Sequence, residues 1–146
     1  MTLIETYKLA CKLHANQSDK AGSPYIEHLT RVMLLTQAAG GDTEQQIAAL
    51  LHDSIEDGHA DADSLREAGV PEGAIVLIVA LTRKPRQAYD DYIGQVGRTP
   101  KAVLVKRADL RDNLSPERLA KLYDEDRKRL SAKYNSALLA LTGVQQ

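Results

Sequence analysis

Four ionisable side chains crowd into six residues, His52-Asp53-Ser54-Ile55-Glu56-Asp57, after an apolar run that includes Ile47, Ala48, Leu50 and Leu51. Read as the end of one helix running from Asp42 or Thr43 to Gly58, the segment stacks 52 on 56 and 53 on 57, one turn apart. Three carboxylates at that end oppose the negative pole of the helix dipole. A cation neutralises such a cluster, so a metal site is the first expectation. His28 and Asp109 complete a candidate ligand set with His52 and Asp53. Imidazole and carboxylate together suit Mn²⁺, Fe²⁺ or Zn²⁺ better than Ca²⁺. Four such ligands leave open positions on a six-coordinate ion for water and substrate.

Each of these residues also has a structural reading. A helical histidine is commonly a hydrogen-bonded, half-buried side chain, and Asp109 alone would pair with Arg107 or Arg111. The adjacent pair His52-Asp53 in an apolar segment is harder to explain that way. Glu56 and Asp57 fall beside the ligands without being needed as ligands. A carboxylate in that place can orient a water or take its proton, and a second can protonate a leaving group. Lys106 and Asp109, three residues apart, share a helix face, as do Asp109 and Asn113, four apart. With Lys20, Arg83, Lys84 and Arg86 in loops, these groups suggest a phosphorylated substrate.

Helices must position all of this. The spacing predicts them over 2–16, 25–39, 42–58, 61–69, 71–81, 87–96, 99–113 and 115–141. Gly40-Gly41, Gly58 and Gly97 stop three of them, and Pro71, Pro100 and Pro116 suit first turns. The β-branched run Ala74–Leu81 could form a buried strand, but no second strand candidate of equal strength exists to pair with it, so it reads as a buried helix. The expected fold is all-α, a single domain over 1–146 with six to eight helices.

Composition narrows the function classes. Apolar residues make up 43% and charged residues 27% of the 146, as in soluble globular chains. Lys+Arg 19 against Asp+Glu 20 gives a net charge of −1 and no general attraction to nucleic acid or anionic membranes. Cys11, the single cysteine, excludes an internal disulfide and reads as a small buried hydrophobe. No apolar run approaches the roughly 18 residues of a membrane span, and the N-terminus lacks the pattern of a signal peptide, so the expected location is cytoplasmic. Oligomeric state is open.

The order His28, His52-Asp53, Asp109 resembles the H…HD…D signature of the HD superfamily of metal-dependent phosphohydrolases. The likeness is nearer to the hydrolase domain of RelA/SpoT-type alarmone enzymes and the small alarmone hydrolases, including the metazoan SpoT homologue. It rests on His14-Ala-Asn-Gln17 through Gly22–His28, on Ala49–Asp57 and on Val105–Asn113, with Leu81-Thr82 and Tyr89 also in place, and spans roughly residues 5–140. The resemblance implies one Mn²⁺ held by His28, His52, Asp53 and Asp109, with Glu56 and Asp57 handling the attacking water and the protons. It further implies that Asn113 contacts the sugar or phosphate region, and that the reaction is removal of 3′-pyrophosphate from guanosine tetra- or pentaphosphate. The chain is too short to include the synthetase and regulatory domains of the long alarmone enzymes.

One position departs from the pattern. Alarmone hydrolases usually carry an arginine five residues after the first-helix histidine, near the nucleotide base; here Asp19 stands there, followed by Lys20. Lys20 is placed to reach phosphates but offers no stacking plane. Two other readings therefore stay open: a different nucleotide (an adenine alarmone or an NADPH-like phosphate), or a nucleotide-binding module without catalysis.

Overall fold

A computed structural model describes residues 1–143. Among them nine helices follow one another: α1 (Leu3–Leu13), α2 (Tyr25–Ala38), α3 (Thr43–Leu51), α4 (Ala62–Glu67), α5 (Glu72–Ala80), α6 (Tyr89–Gly97), α7 (Pro100–Asn113), α8 (Pro116–Leu119) and α9 (Asp124–Leu141). The all-α expectation holds. None of these helices is long and apolar enough to cross a membrane.

Local chemistry sets the starts. Thr2, Asp42 and Asp61 each accept the backbone N–H three residues on, while the side chains of Glu5, Gln45 and Ser64 reach back to the cap N–H. Two orphan donors are thereby satisfied at each start. Gly40, at φ +90°, supplies the left-handed residue that ends the second helix. At Gly41 a Cβ would stand 2.7 Å from Thr36 Cγ2 and 2.8 Å from the Thr36 carbonyl, so no larger residue fits that close passage into α3.

Helix α3 is the centre. Every residue from Gln45 to Leu51 is buried, and α1, α2, α5 and α7 pack around it. From α7, Ala102, Val103, Val105, Ala108 and Leu110 join the same core. Position α5 is a helix as expected, but Val76 and Val79 stand about half exposed, so it is amphipathic rather than buried all round. Cys11 is partly exposed, not enclosed.

Two helix boundaries differ from expectation. The third helix ends at Leu51, not at Gly58. His52 Nδ1 lies 2.7 Å from the Ala49 carbonyl and Ser54 Oγ donates to the Leu51 carbonyl at 2.7 Å. Side chains thus take carbonyls that a continuing helix would use. Residues 52–58 become a run of tight turns, with Ser54 N–H on Leu51 O, Asp57 N–H on Asp53 O and Gly58 N–H on Ile55 O. The last helix is likewise two, which raises the number of helices above the expected six to eight. Ser115 caps a single turn, α8, and the chain restarts at Asp124-Glu125-Asp126, an acidic triplet suited to a helix N-terminus.

Replacing Leu50, fully buried in α3, by Ala should destabilise the fold by about 2–5 kcal/mol. Asp42→Ala, which removes the cap and an exposed ion pair with Lys101, should cost about 1–2 kcal/mol. Urea unfolding followed by circular dichroism would compare them, and equal losses would show that α3 is not the packing centre.

Candidate metal centre

The turns that follow α3 aim Asp53, Glu56 and Asp57 into a cavity of 390 Å³ walled by α2, α7, the 17–20 loop and the middle of α9. His28 and Asp109 line its floor and, with His52 beneath them, each brings a potential ligand atom to within 4.8 Å of the other two. His28 Nε2 is 2.9 Å and His52 Nε2 3.3 Å from the same Asp109 oxygen, Oδ1. All three residues are buried, at 2%, 1% and 4% exposure. Asp53 stands at the edge of the triad, its Oδ2 3.2 Å from His52 Nε2 and accepting a short hydrogen bond from the Tyr25 hydroxyl.

The donor set fits a divalent cation. His28 Nδ1 is 2.6 Å from Asp112 Oδ2, and His52 Nδ1 faces the Ala49 carbonyl. Arg118 Nη1 also lies 2.9 Å from His28 Nδ1, but the shorter contact to Asp112 favours Nδ1–H donating outward, as at His52, and both Nε2 lone pairs then face carboxylate oxygens. His52 Nε2 is buried and makes no well-directed hydrogen bond despite its proximity to Asp53 and Asp109. Lone pairs facing carboxylates repel unless a cation lies between them, and outward Nδ1–H bonds are how metal-binding imidazoles are oriented.

Without an ion, protons supply that cation. Burial alone would lower the His28 and His52 imidazolium pKa values. Asp109 and Asp112 at His28, and Asp53 and Asp109 at His52, outweigh burial and raise both, His52 strongly. Burial would raise the Asp109 carboxyl, but Lys106, His52 and His28 hold it well below the usual range. Lys106 Nζ donates to Asp109 Oδ2 at 2.8 Å and lies over the Tyr92 ring at 5.1 Å. Asp109 therefore pairs with Lys106 and the two imidazoles, not with Arg107 or Arg111.

Glu56 and Asp57 also line the cavity. Glu56 Oε1 accepts the Arg83 backbone N–H at 2.7 Å, and Asp57 Oδ2 accepts from Gln17 Nε2 at 2.9 Å. Both residues are exposed overall, yet desolvation at the cavity raises both carboxyl pKa values. Lys20, Lys106 and Asn113 line the same space, as do Arg83 and Lys133. Lys84 and Arg86 line a separate depression beside it. Asp19 is turned inward: its side chain is 2% exposed, accepts the N–H groups of Ala21 and Ser23, and lies 3.4 Å from Arg118 Nη2.

The sequence reading missed a supporting layer. Asp112 takes His28 on one side and a bidentate Arg31 on the other, at 2.7 and 3.2 Å. Arg118 Nη1 shares Asp112 Oδ2 at 3.1 Å and contacts Asn113. Asp112 stands three residues after Asp109, a spacing that places it on an adjoining part of the same face. Arg118, on the single turn α8, carries no such spacing signal toward His28 or Asp19.

The HD domain family matches residues 6–88. The chain belongs to the HD domain family. Among curated HD-domain relatives it is 33% identical over 133 residues to a guanosine-3′,5′-bis(diphosphate) 3′-pyrophosphohydrolase of Aquifex aeolicus, covering 86% of this chain and 19% of that one. It is 28% identical over 132 residues to a GTP pyrophosphokinase of Streptomyces antibioticus, covering 85% and 16%. The chain thus spans about a fifth or less of these relatives. A solved metazoan orthologue of SpoT, described as hydrolysing ppGpp, shares the fold with a TM-score of 0.82 at 23% identity, over 98% of this chain and 86% of that one. The family was legible in the order His28, His52-Asp53, Asp109, of which the structure brings His28, His52 and Asp109 together.

Because the ring protons must leave before a cation enters, uptake should release protons and tighten as pH rises through and above the ordinary imidazole range. Calorimetry in buffers of different ionisation enthalpy would measure this; a buffer-independent heat would overturn it. Asp112→Asn should weaken metal affinity about 10–100-fold through His28 alone. Equilibrium dialysis at matched pH would check it, and unchanged affinity would remove Asp112 from the centre.

Proposed function

We propose that the chain, as one HD-type unit over 1–146, hydrolyses 3′-pyrophosphate from guanosine tetra- or pentaphosphate in the cytoplasm. The observation that carries this reading is a single cavity with His28 and Asp109 at its floor, His52 beneath them, and Glu56, Asp57 and cationic side chains lining it. The activity named for the Aquifex relative supports the choice of substrate. His28, His52, Asp53 and Asp109 would hold one divalent cation, which we take to be Mn²⁺. When bound, such an ion lowers the pKa of water and polarises phosphoryl oxygens.

The protein's own groups do the rest. A water oxygen attacks the phosphorus attached to the 3′ oxygen, that P–O bond breaks, and pyrophosphate departs with the water oxygen. Glu56 and Asp57 divide the two proton transfers, one taking the water proton and the other protonating the 3′ oxygen. Their raised pKa values bring both nearer to neutrality, where acid–base exchange is efficient. Lys20 and Asn113 bind the phosphate and sugar region. Lys106 is committed to Asp109, so it acts on the substrate through the field it adds to the cavity. The aromatic wall of Tyr89 and Tyr134 offers stacking surface.

The inward turn of Asp19 favours a second reading, hydrolysis of a nucleotide with another base, since no guanidinium occupies that position. One assay separates the two. Metal-loaded protein offered guanine and adenine polyphosphates in parallel should release pyrophosphate from guanosine tetraphosphate. Asp53→Asn should lose metal and turnover together, and Glu56→Gln should keep metal while kcat falls about 10²–10⁴-fold. A clear adenine preference would replace the guanine reading. No turnover of any nucleotide by protein of proven metal content would leave a binding module.

A further inference from the structure

A second ligand cluster lies behind Asp57. His14, Asp57 and His59 each bring a potential ligand atom to within 4.8 Å of the other two. Gln17 ties them together: its Oε1 faces His14 Nδ1 at 2.7 Å and His59 Nε2 at 2.8 Å, and its Nε2 donates to Asp57 Oδ2 at 2.9 Å. The carboxylate needs a donor, so it fixes the orientation of the amide, and Oε1 then accepts N–H from both rings. His14 is thereby held with its proton on Nδ1 and a bare lone pair on Nε2. That ring is 3% exposed, and its Nε2 is buried without a hydrogen-bond partner among the described residues. The His59 ring stands edge-on to it, with centroids 4.8 Å apart.

We infer that His14, Asp57 and His59 form a second divalent-cation site, distinct from the His28–His52–Asp109 centre and selective for an ion that favours imidazole, Zn²⁺ foremost. Two imidazoles and a carboxylate with an open fourth position are a zinc ligand set, and Gln17 is the clamp that fixes the His14 tautomer. Asp57 and His59 line an outer depression that gives an ion access from solvent, while Asp57 also lines the cavity of the first centre. Occupancy therefore draws on a carboxylate that serves the reaction. Zn²⁺ in excess inhibits the enzyme by engaging Asp57; this consequence rests on the proposed role of Asp57, whereas the site itself does not.

The test uses the whole chain, stripped of metal and dialysed against Zn²⁺, with bound metal measured directly and Co²⁺ absorption reporting imidazole ligation. Wild type should bind about two Zn²⁺ per chain, and Asp53→Asn and His59→Gln about one each, in different sites. His59 is exposed in a turn, so its substitution leaves the core intact; His59→Ala is the second variant, and circular dichroism confirms the fold of both. An unchanged stoichiometry and Co²⁺ spectrum in both His59 variants would overturn the site. In Mn²⁺-loaded protein, excess Zn²⁺ should inhibit wild type and spare His59→Gln. Loss of the second Zn²⁺ with inhibition retained would uphold the site and overturn its coupling to Asp57.

Discussion

One buried carboxylate organises this molecule. Asp109 sits inside the core of α7 with Lys106 on one oxygen and the imidazoles of His28 and His52 on the other. An isolated buried charge is prohibitive, and a paired one needs its remaining lone pairs satisfied. That requirement holds α2, the turn after α3 and α7 in register, because each contributes a group the carboxylate needs. Removing one partner leaves the others buried and unpaired, which is costlier than the loss of a single contact. The cluster is poised for a cation because its imidazoles are already locked by their outward Nδ1 bonds.

A second layer carries this constraint to the surface. His28 is held by Asp112, Asp112 by Arg31 and Arg118, and Arg118 reaches Asp19 in the loop between α1 and α2. Asp112 in this chain of contacts lies between cationic groups, and it screens Arg118 from the nearby His28 ring. The loop that carries Lys20 to the cavity is thus fastened to the buried centre, not merely attached to two helices. The same loop holds Gln17 against Asp57, so both wings of the cavity are positioned by residues 17–19.

Much of this was legible from residue types and spacing, and the exceptions share a cause. Helix starts were readable because caps act within three residues. The candidate residues stood out because imidazole and carboxylate have few reasons to lie in apolar segments. The end of α3 at Leu51 was not, because periodicity continues through 52–57 while His52 and Ser54 take the carbonyls a helix would need. The split between α8 and α9 was hidden in the same way, behind an unbroken helical pattern. Asp112 and Arg118 were missed because their partners lie far off in sequence, at His28 and Asp19.

Asp19 shows how a substitution can move its effect elsewhere. From its position alone it places an anion where a nucleotide base would stack, which implies repulsion of the phosphates. In the fold its carboxylate closes its own loop and meets Arg118, so little of its charge faces the cavity. The electrostatic consequence falls on Arg118, which is neutralised by Asp19 and Asp112 together and is withdrawn from anion binding. The cations facing the cavity without a carboxylate partner among the described residues are then Lys20, Arg83 and Lys133, the last over the Tyr89 ring at 4.3 Å. Arg83 sits beside Glu56, donating its backbone N–H to Oε1, while Lys20 comes from the loop before α2 and Lys133 from α9, so positive charge reaches the cavity from three separate segments. The positive field in the cavity therefore comes from these three segments rather than from a side chain at position 19.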